Sequence, residues 1–354
     1  MKKIVKKKVL VALSGGVDSA VATKLLIDQG YDVSTMFLSF WKPKGEKGFE
    51  NRCCSSIASR DAKTVAETLG APFHTYNFSE LFKRKVVDYF LDSHIKGKTP
   101  NPCAVCNREV KIGALLETAM AWGFDYLATG HYVTFKNGKL YKGIDDNKDQ
   151  SYFLHYLSAK KLSKILFPLG EYNKTQVRAL AKKFKLPVAT KSESQEVCFI
   201  PKTKNDFLEK NLDKLSPGNI KDTKGNVLGK HSGIELFTLG QRKGINIGGT
   251  GPYYVAKKKM KQKDIVVTTD FNDPMMLTKE IMVKNFNWVN TPKTDEIKAA
   301  VAIRYHQKPE KCIIKIVNKK RCQIVFNKAI RAVSPGQSAV VYKGRKMLGG
   351  GEIY

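Results

Sequence analysis

The sequence is short of acid. Its 354 residues carry 32 Asp and Glu against 62 Lys and Arg, a formal net charge of +30. So large an excess repels itself unless salt or a polyanion screens it, which points to nucleic acid as a partner. A generally lysine-rich proteome is the plainer alternative. Long apolar runs are also missing. No stretch approaches the roughly 18 residues that cross a bilayer, so no membrane partner is expected. The basic start Met1–Lys8 mimics the head of a secretion signal, but the apolar run behind it is short and enters a glycine turn. A cytoplasmic protein is therefore expected. Cysteine is scarce and odd in number, seven in all. No second Cys-x-x-Cys is present to complete a four-ligand zinc site. Both points favour reduced thiols, some chemically active, over a disulfide scaffold. Hydrophobic residues make up 42%, enough for a globular chain of two or three domains.

Near the start, Val9–Leu13 runs into Ser14-Gly15-Gly16-Val17-Asp18-Ser19, and a helical pattern follows with Val21, Ala22, Leu25 and Leu26 on one face. A buried strand, a glycine turn and a helix N-terminus make an anion site, because first-turn N–H groups lack intrahelical partners and the dipole favours negative charge. Gly15 and Gly16 let the backbone approach a phosphate. Ser14 and Ser19 add hydroxyls, and Asp18 can cap the helix or help hold a divalent cation. No Gly-Lys-Ser/Thr follows, which excludes a Walker A loop. The order instead resembles the pyrophosphatase loop of N-type ATP pyrophosphatases, which split ATP between the α and β phosphates. An ordinary strand–helix turn is the bland alternative.

Further strands are expected at Tyr31–Phe40, Phe73–Phe78 and Asp125–Thr129, with helices at 55–69 and from Ser79. The fold class is thus α/β, with an N-terminal parallel sheet and ligands at its C-terminal edge. Leu38 and Gly130 are placed beside the nucleoside, and His131 beside them as a contact. Asn137-Gly138 marks a hairpin over 135–142. Residues 173–184 read as a basic amphipathic helix, and Cys198 as a cysteine set against an apolar strand. Beyond about 205 the helical pattern gives way to glycine-punctuated β segments, and from Glu280 alternation predicts a small antiparallel barrel. The expected divisions are a catalytic domain over 1–205, a small β-rich domain over 206–274 and a barrel over 275–354. The barrel lysines, and the loop Thr238–Gly244, suit an RNA-facing surface. Cys312 and Cys322 read as structural, as do Cys53 and Cys54.

In Thr99-Pro100-Asn101-Pro102-Cys103-Ala104-Val105-Cys106-Asn107-Arg108, a Cys-x-x-Cys opens a helix. A helix N-terminus lowers a thiol pKa, and Arg108 and Lys111 add positive field. With this stretch the sequence resembles the tRNA-specific 2-thiouridylase (MnmA) family. The same holds for Ala-Thr-Gly-His-Tyr at 128–132, Asn-Lys-Asp-Gln-Ser-Tyr-Phe-Leu at 147–154, Val-Cys-Phe-Ile at 197–200, Gly-Gln-Arg-Lys-Gly at 240–244, Ser-Pro-Gly-Gln-Ser-Ala at 334–339 and Leu-Gly-Gly-Gly at 348–351. The match covers nearly the whole chain, in order.

The resemblance implies ATP-dependent replacement of the C2 oxygen of a wobble uridine in tRNA by sulfur. ATP would lie on Ala12, Leu13, Ser14, Gly15, Gly16, Val17, Asp18 and Ser19, with Leu38 and Gly130, and Mg²⁺ is expected. Cys198 would receive sulfur as a persulfide from a donor or relay protein, and Cys106 would resolve it, leaving a disulfide. Asn101, Pro102 and Cys103 would line the base site. His131, Lys148, Asp149, Gln150, Arg304, Tyr305 and Gln337 would contact tRNA. Many family members carry Asp where this chain has Cys103, so Cys103 cannot inherit that acid/base role. Cys103, Cys106 and Cys198 could instead ligate a [4Fe–4S] cluster that carries sulfide. Two other classes stay open: an amidotransferase-type ATP pyrophosphatase, and an RNA-binding protein with a relic loop.

Overall fold

The structure, a computed structural model, describes residues 6–42, 55–192, 197–248 and 251–354. The expectations for Cys53 and Cys54 lie outside these residues. The N-terminal sheet is built from β1 (Lys8–Ala12), β2 (Asp32–Ser39), β3 (Phe73–Asn77), β4 (Tyr126–Ala128) and a later strand, Ile165–Leu166. All neighbours are parallel, and the order is β3, β2, β1, β4 and then Ile165–Leu166. Val9, Leu10 and Val11 of β1 have no exposure. A central parallel strand is covered by helices on both faces, which is why it reads as an unbroken apolar run.

Helix α1 (Val17–Asp28) follows β1, and α2 (Ser56–Thr68) follows β2. From β1 the chain goes one way to β2 and β3, and later the other way to β4. The loops after β1 and β4 therefore face each other across a topological switch point, where open sheets bind ligands. A helical segment over 79–95 precedes the segment over 102–121, and both contain wider π turns, at Lys83–Val87 and Asn107–Ala114.

After β4 comes the hairpin of β5 (Val133–Lys136) and β6 (Lys139–Lys142), turned by Asn137 (φ 52°) and Gly138 (φ 70°). The last strand of the N-terminal sheet, Ile165–Leu166, is β7. The central unit is a four-stranded sheet of β8 (Gly218–Lys221), β9 (Val227–His231), β10 (Tyr254–Lys259) and β11 (Asp264–Thr268). The C-terminal unit comprises β12 (Leu277–Trp288), β13 (Glu296–Ala302), β14 (Glu310–Asn318), β15 (Arg321–Arg331), β16 (Ser338–Lys343) and β17 (Lys346–Ile353). Their order is β12-β15-β14-β13-β16-β17, and β12 pairs back to β17, which closes a barrel. Its interior holds Val283, Ile314, Ile324, Ala339 and Val341.

One expectation is corrected. The helical pattern does not stop at 205: Lys204–Asn211 is a helix, started by a capping box between Thr203 and Asp206, and it runs across the expected 205/206 division. The β5–β6 hairpin, though encoded in the N-terminal half, pairs with the barrel edge through Tyr141–Lys346 and Leu140–Met347.

Candidate active site

The loop after β1 is fixed by its own hydroxyls. Ser14 N donates to Ser19 Oγ at 3.1 Å, the two hydroxyls lie 3.2 Å apart, and Ser19 Oγ donates to Gly16 O at 3.1 Å. Leu13 N donates to Met36 O at 2.9 Å, so the loop leaves the sheet from its carboxyl edge. Leu13 and Val17 are buried anchors; what they offer a ligand is backbone. Gly15 has φ 71°, and a Cβ there would lie 2.2 Å from Ala58 O. Only glycine fits, on both counts. α1 begins after Gly16 with no side-chain cap, which leaves its N-terminal dipole for an anion. Gly130, in the loop after β4, also sits close to this loop: a Cβ would meet Asp18 C and Ser19 N at 3.0 Å. Leu38 is buried at the carboxyl end of β2. The residues present therefore form a cradle that fits a nucleotide triphosphate.

Asp18 is the acid of the loop, and two donors from distant parts of the chain converge on its Oδ1. Tyr132 OH and Lys174 Nζ each lie 2.7 Å away. Among the described residues neither donates to Oδ2, so that oxygen suits a divalent cation beside the phosphates. Lys174 is itself aimed. It opens helix Lys174–Lys183 behind an Asn173–Gln176 capping box, and its N–H is held by Asp145 Oδ2 at 2.9 Å. A second lysine, Lys191, donates to Gly15 O at 2.9 Å and to Asp61 Oδ2 at 2.6 Å. Sequence reasoning missed Tyr132, Lys174 and Lys191. The only available signal was a lone lysine at a helix start.

The thiols sit on the neighbouring edge. Helix Pro102–Cys106 is capped by Asn101, whose Oδ1 accepts from Ala104 N at 3.1 Å. Cys103 is half-buried in the first turn, and Cys106 is 6% exposed. Arg108 is less available than its sequence position implied, since Nε pairs with Glu109 at 2.6 Å and the guanidinium lies 4.6 Å from the Tyr156 ring centre. Cys198 is in a turn, not a strand: Ile200 N donates to Val197 O at 3.0 Å. Phe199 beside it is buried against Phe82, Phe90 and Phe207. Helix Pro102–Cys106 packs on the same 79–95 segment that Phe199 meets.

Among the described residues no three His, Cys, Asp or Glu side chains come together as a metal site, and Cys103, Cys106 and Cys198 are all described.

The remaining expected contacts divide. Asp149 is buried and committed: Oδ1 accepts from Gly143 N (3.2 Å) and Ser151 N (3.1 Å), and Oδ2 from Ser151 Oγ (2.8 Å). It shapes its loop and is not presented to tRNA. Asn101 is likewise bonded at both ends of its amide, to Ala104 and to Ser338 Oγ at 3.0 Å, and so caps the helix. Gln150 is half-buried, with Oε1 accepting from Tyr132 N at 3.1 Å. His131 shares a 2.8 Å hydrogen bond with Thr129, and burial, with the nearby Lys111 charge, pushes its pKa down to about 3. Its ring is therefore neutral. Arg304 directs Nη2 at Ala332 O and at Leu239 O (3.4 Å), tying the Thr238–Gly244 loop to the barrel. Tyr305 packs on Phe153 with ring centres 4.4 Å apart. Burial, then the charges of Asp149 and Cys103, raise its pKa to about 12. Lys148, Tyr305 and Gln337 are half-buried, and Pro102 is buried.

Residues 7–202 match the tRNA methyl transferase HUP domain, 205–269 the tRNA methyl transferase PRC-barrel domain, and 278–353 the aminomethyltransferase β-barrel domain. Along its full length the chain is 43% identical over 367 residues to the tRNA-specific 2-thiouridylase MnmA of Carboxydothermus hydrogenoformans, covering 100% of this chain and 99% of that one. The chain belongs to the tRNA-specific 2-thiouridylase family. Relatives include the MnmA proteins of Acetivibrio thermocellus, 42% identical over 361 residues (98% of this chain, 99% of the other), and of Bacillus subtilis, 40% identical over 354 residues (98% and 94%). In this 2-thiouridylase family member, the Ser14–Ser19 loop and Cys103, Cys106 and Cys198 all lie within the HUP segment. No described helix is long and apolar enough to cross a membrane.

Proposed function

We propose that this protein is a tRNA uridine 2-sulfurtransferase that activates the C2 oxygen of a wobble uridine with ATP and replaces it with sulfur from a Cys198 persulfide. The observation that carries the reading is the pairing of a phosphate cradle at the switch point with a Cys106 helix and a Cys198 turn that pack on one helical segment, in a member of this family.

Carbonyl oxygen is a poor leaving group, so the first step converts it to an ester. The uridine O2 attacks the α phosphorus of ATP, the O2–P bond forms, and the bond to the β-phosphate bridge breaks with its electrons leaving on pyrophosphate. The loop backbone and α1 dipole hold the phosphates, and Lys174 supplies a cation beside them. Asp18 would hold Mg²⁺, which would supply charge neutralisation there. Leu38 and Gly130 flank the nucleoside.

The base must leave the anticodon stack to reach this edge. Pro102 and Cys103 line its pocket. His131, Lys148, Gln150, Arg304, Tyr305 and Gln337 contact the tRNA. A sulfur-donor protein charges Cys198. The terminal persulfide sulfur adds to C2, and AMP departs with the C2–O electron pair. The Cys106 thiolate then attacks Cys198 Sγ and breaks the persulfide S–S bond, whose electrons stay on the sulfur now double-bonded to C2. A Cys106–Cys198 disulfide remains, and an external thiol must return two electrons before the next round.

Pyrophosphate release tests the activation step. It should depend on tRNA bearing the unmodified uridine and match the 2-thiouridine formed. Release at the same rate without tRNA contradicts the reading.

A further inference from the structure

The segment that leads into the thiol helix is docked on the C-terminal barrel at several points. Thr99 N donates to Pro335 O at 2.8 Å, and Lys98 Nζ lies 3.5 Å from Glu352 Oε1 on β17. Gly336 (φ 92°) lets the barrel loop close in, since a Cβ there would lie 2.9 Å from Lys98 Cβ and 3.1 Å from Thr99 O. Innermost is Ser338 on β16, 1% exposed, whose Oγ accepts from Asn101 Nδ2 at 3.0 Å. Its carbonyl accepts from Tyr152 OH at 2.9 Å.

Asn101 is thus a two-sided joint. One end of its amide caps the helix that carries Cys103 and Cys106, and the other is held by the barrel. A cap residue works only while its side chain is held in the capping rotamer. At this buried position, losing Ser338 leaves an amide N–H without an acceptor and drives the side chain to turn away. We propose that Ser338 is a positioning residue for Cys106: the barrel, through Ser338 and Asn101, sets the helix on which the resolving thiol sits. The C-terminal unit then does more than offer a surface to RNA, because it determines where the thiol points. The inference rests on Cys106 being the working thiol of the proposed function.

The test is site-resolved alkylation of the full-length protein by iodoacetamide, read by peptide mass spectrometry without ATP or tRNA. Ser338→Ala should speed alkylation of Cys106 about fivefold, the factor a lost helix cap typically produces. Cys198 alkylation and ATP affinity should stay unchanged, and Ser338→Thr, which keeps a hydroxyl, should restore the wild-type rate. In turnover, Ser338→Ala should lower kcat for thiolation with KM for tRNA unchanged. A Cys106 rate within about twofold of wild type, or an equal rise at Cys198, overturns the proposal. If Ser338→Ala does not fold, Glu352→Gln loosens the same dock through Lys98 and should give a smaller rise confined to helix Pro102–Cys106; no rise there overturns it equally. Because this readout needs neither substrate, a wild-type protein unable to thiolate would refute the proposed function separately.

Discussion

Lys174 Nζ reaches across 156 positions of sequence to lie 2.7 Å from Asp18 Oδ1, on the oxygen that also accepts from Tyr132 OH. The contact places a partly buried cation beside the Ser14–Ser19 loop.

The first prediction concerns that cation. Lys174→Met should weaken binding of ATP and of pyrophosphate at least tenfold and leave AMP nearly unaffected, since removing one preorganised charge from a phosphate site costs roughly 1.5–3 kcal/mol. Isothermal titration with the three ligands checks it. Equal loss for AMP would make Lys174 a structural partner of Asp18 only.

Much of the site was legible in the sequence, and the reason is range. Ser14–Ser19 and Asn137-Gly138 encode their turns locally, through glycines and hydroxyls that need no distant partner to be understood. The Lys174–Asp18 contact depends on the docking of helix Lys174–Lys183 and leaves no mark at either residue. Asp149 lies in the polar run Asp146–Ser151 and reads as surface; it is buried because Ser151 beside it meets Tyr342 of the barrel at 3.1 Å. Val197–Ile200 misled for a different reason: a short apolar run looks the same as a buried strand or a buried turn. Asn101 was expected to line the base site; its partner Ser338 is 237 positions away, and nothing near Asn101 in the sequence marks that contact.

The second prediction concerns pH. Burial pushes the His94 and His131 pKa values down to about 3 and the His155 pKa down to about 4, in each case from 6.5. Between those values and 6.5 the unfolded chain binds these three protons and the folded chain does not. Their contribution is therefore present above pH 6.5 and lost as pH falls towards 4, with a slope of up to about 4.1 kcal/mol per pH unit. Urea unfolding at pH 7 and pH 5 should show this loss, and His155→Phe should remove about a third of the slope. A stability independent of pH over that range contradicts the assignment.

The third prediction separates the two sulfur routes at Cys103. On the persulfide route Cys103→Ala should retain measurable thiolation, whereas Cys106→Ser and Cys198→Ser should each abolish it. Protein purified without oxygen should carry no stoichiometric iron. Equal loss in all three variants, together with about four irons per chain, would replace the persulfide route with a cluster.

A single turnover tests the central step most directly. Protein charged with sulfane sulfur on Cys198 is mixed with ATP, Mg²⁺ and unmodified tRNA in the absence of reductant, then divided for nucleoside analysis and peptide mapping. Each 2-thiouridine formed should be matched by one Cys106–Cys198 disulfide. Thiolated tRNA accompanied by two cysteines that remain reduced would contradict the account.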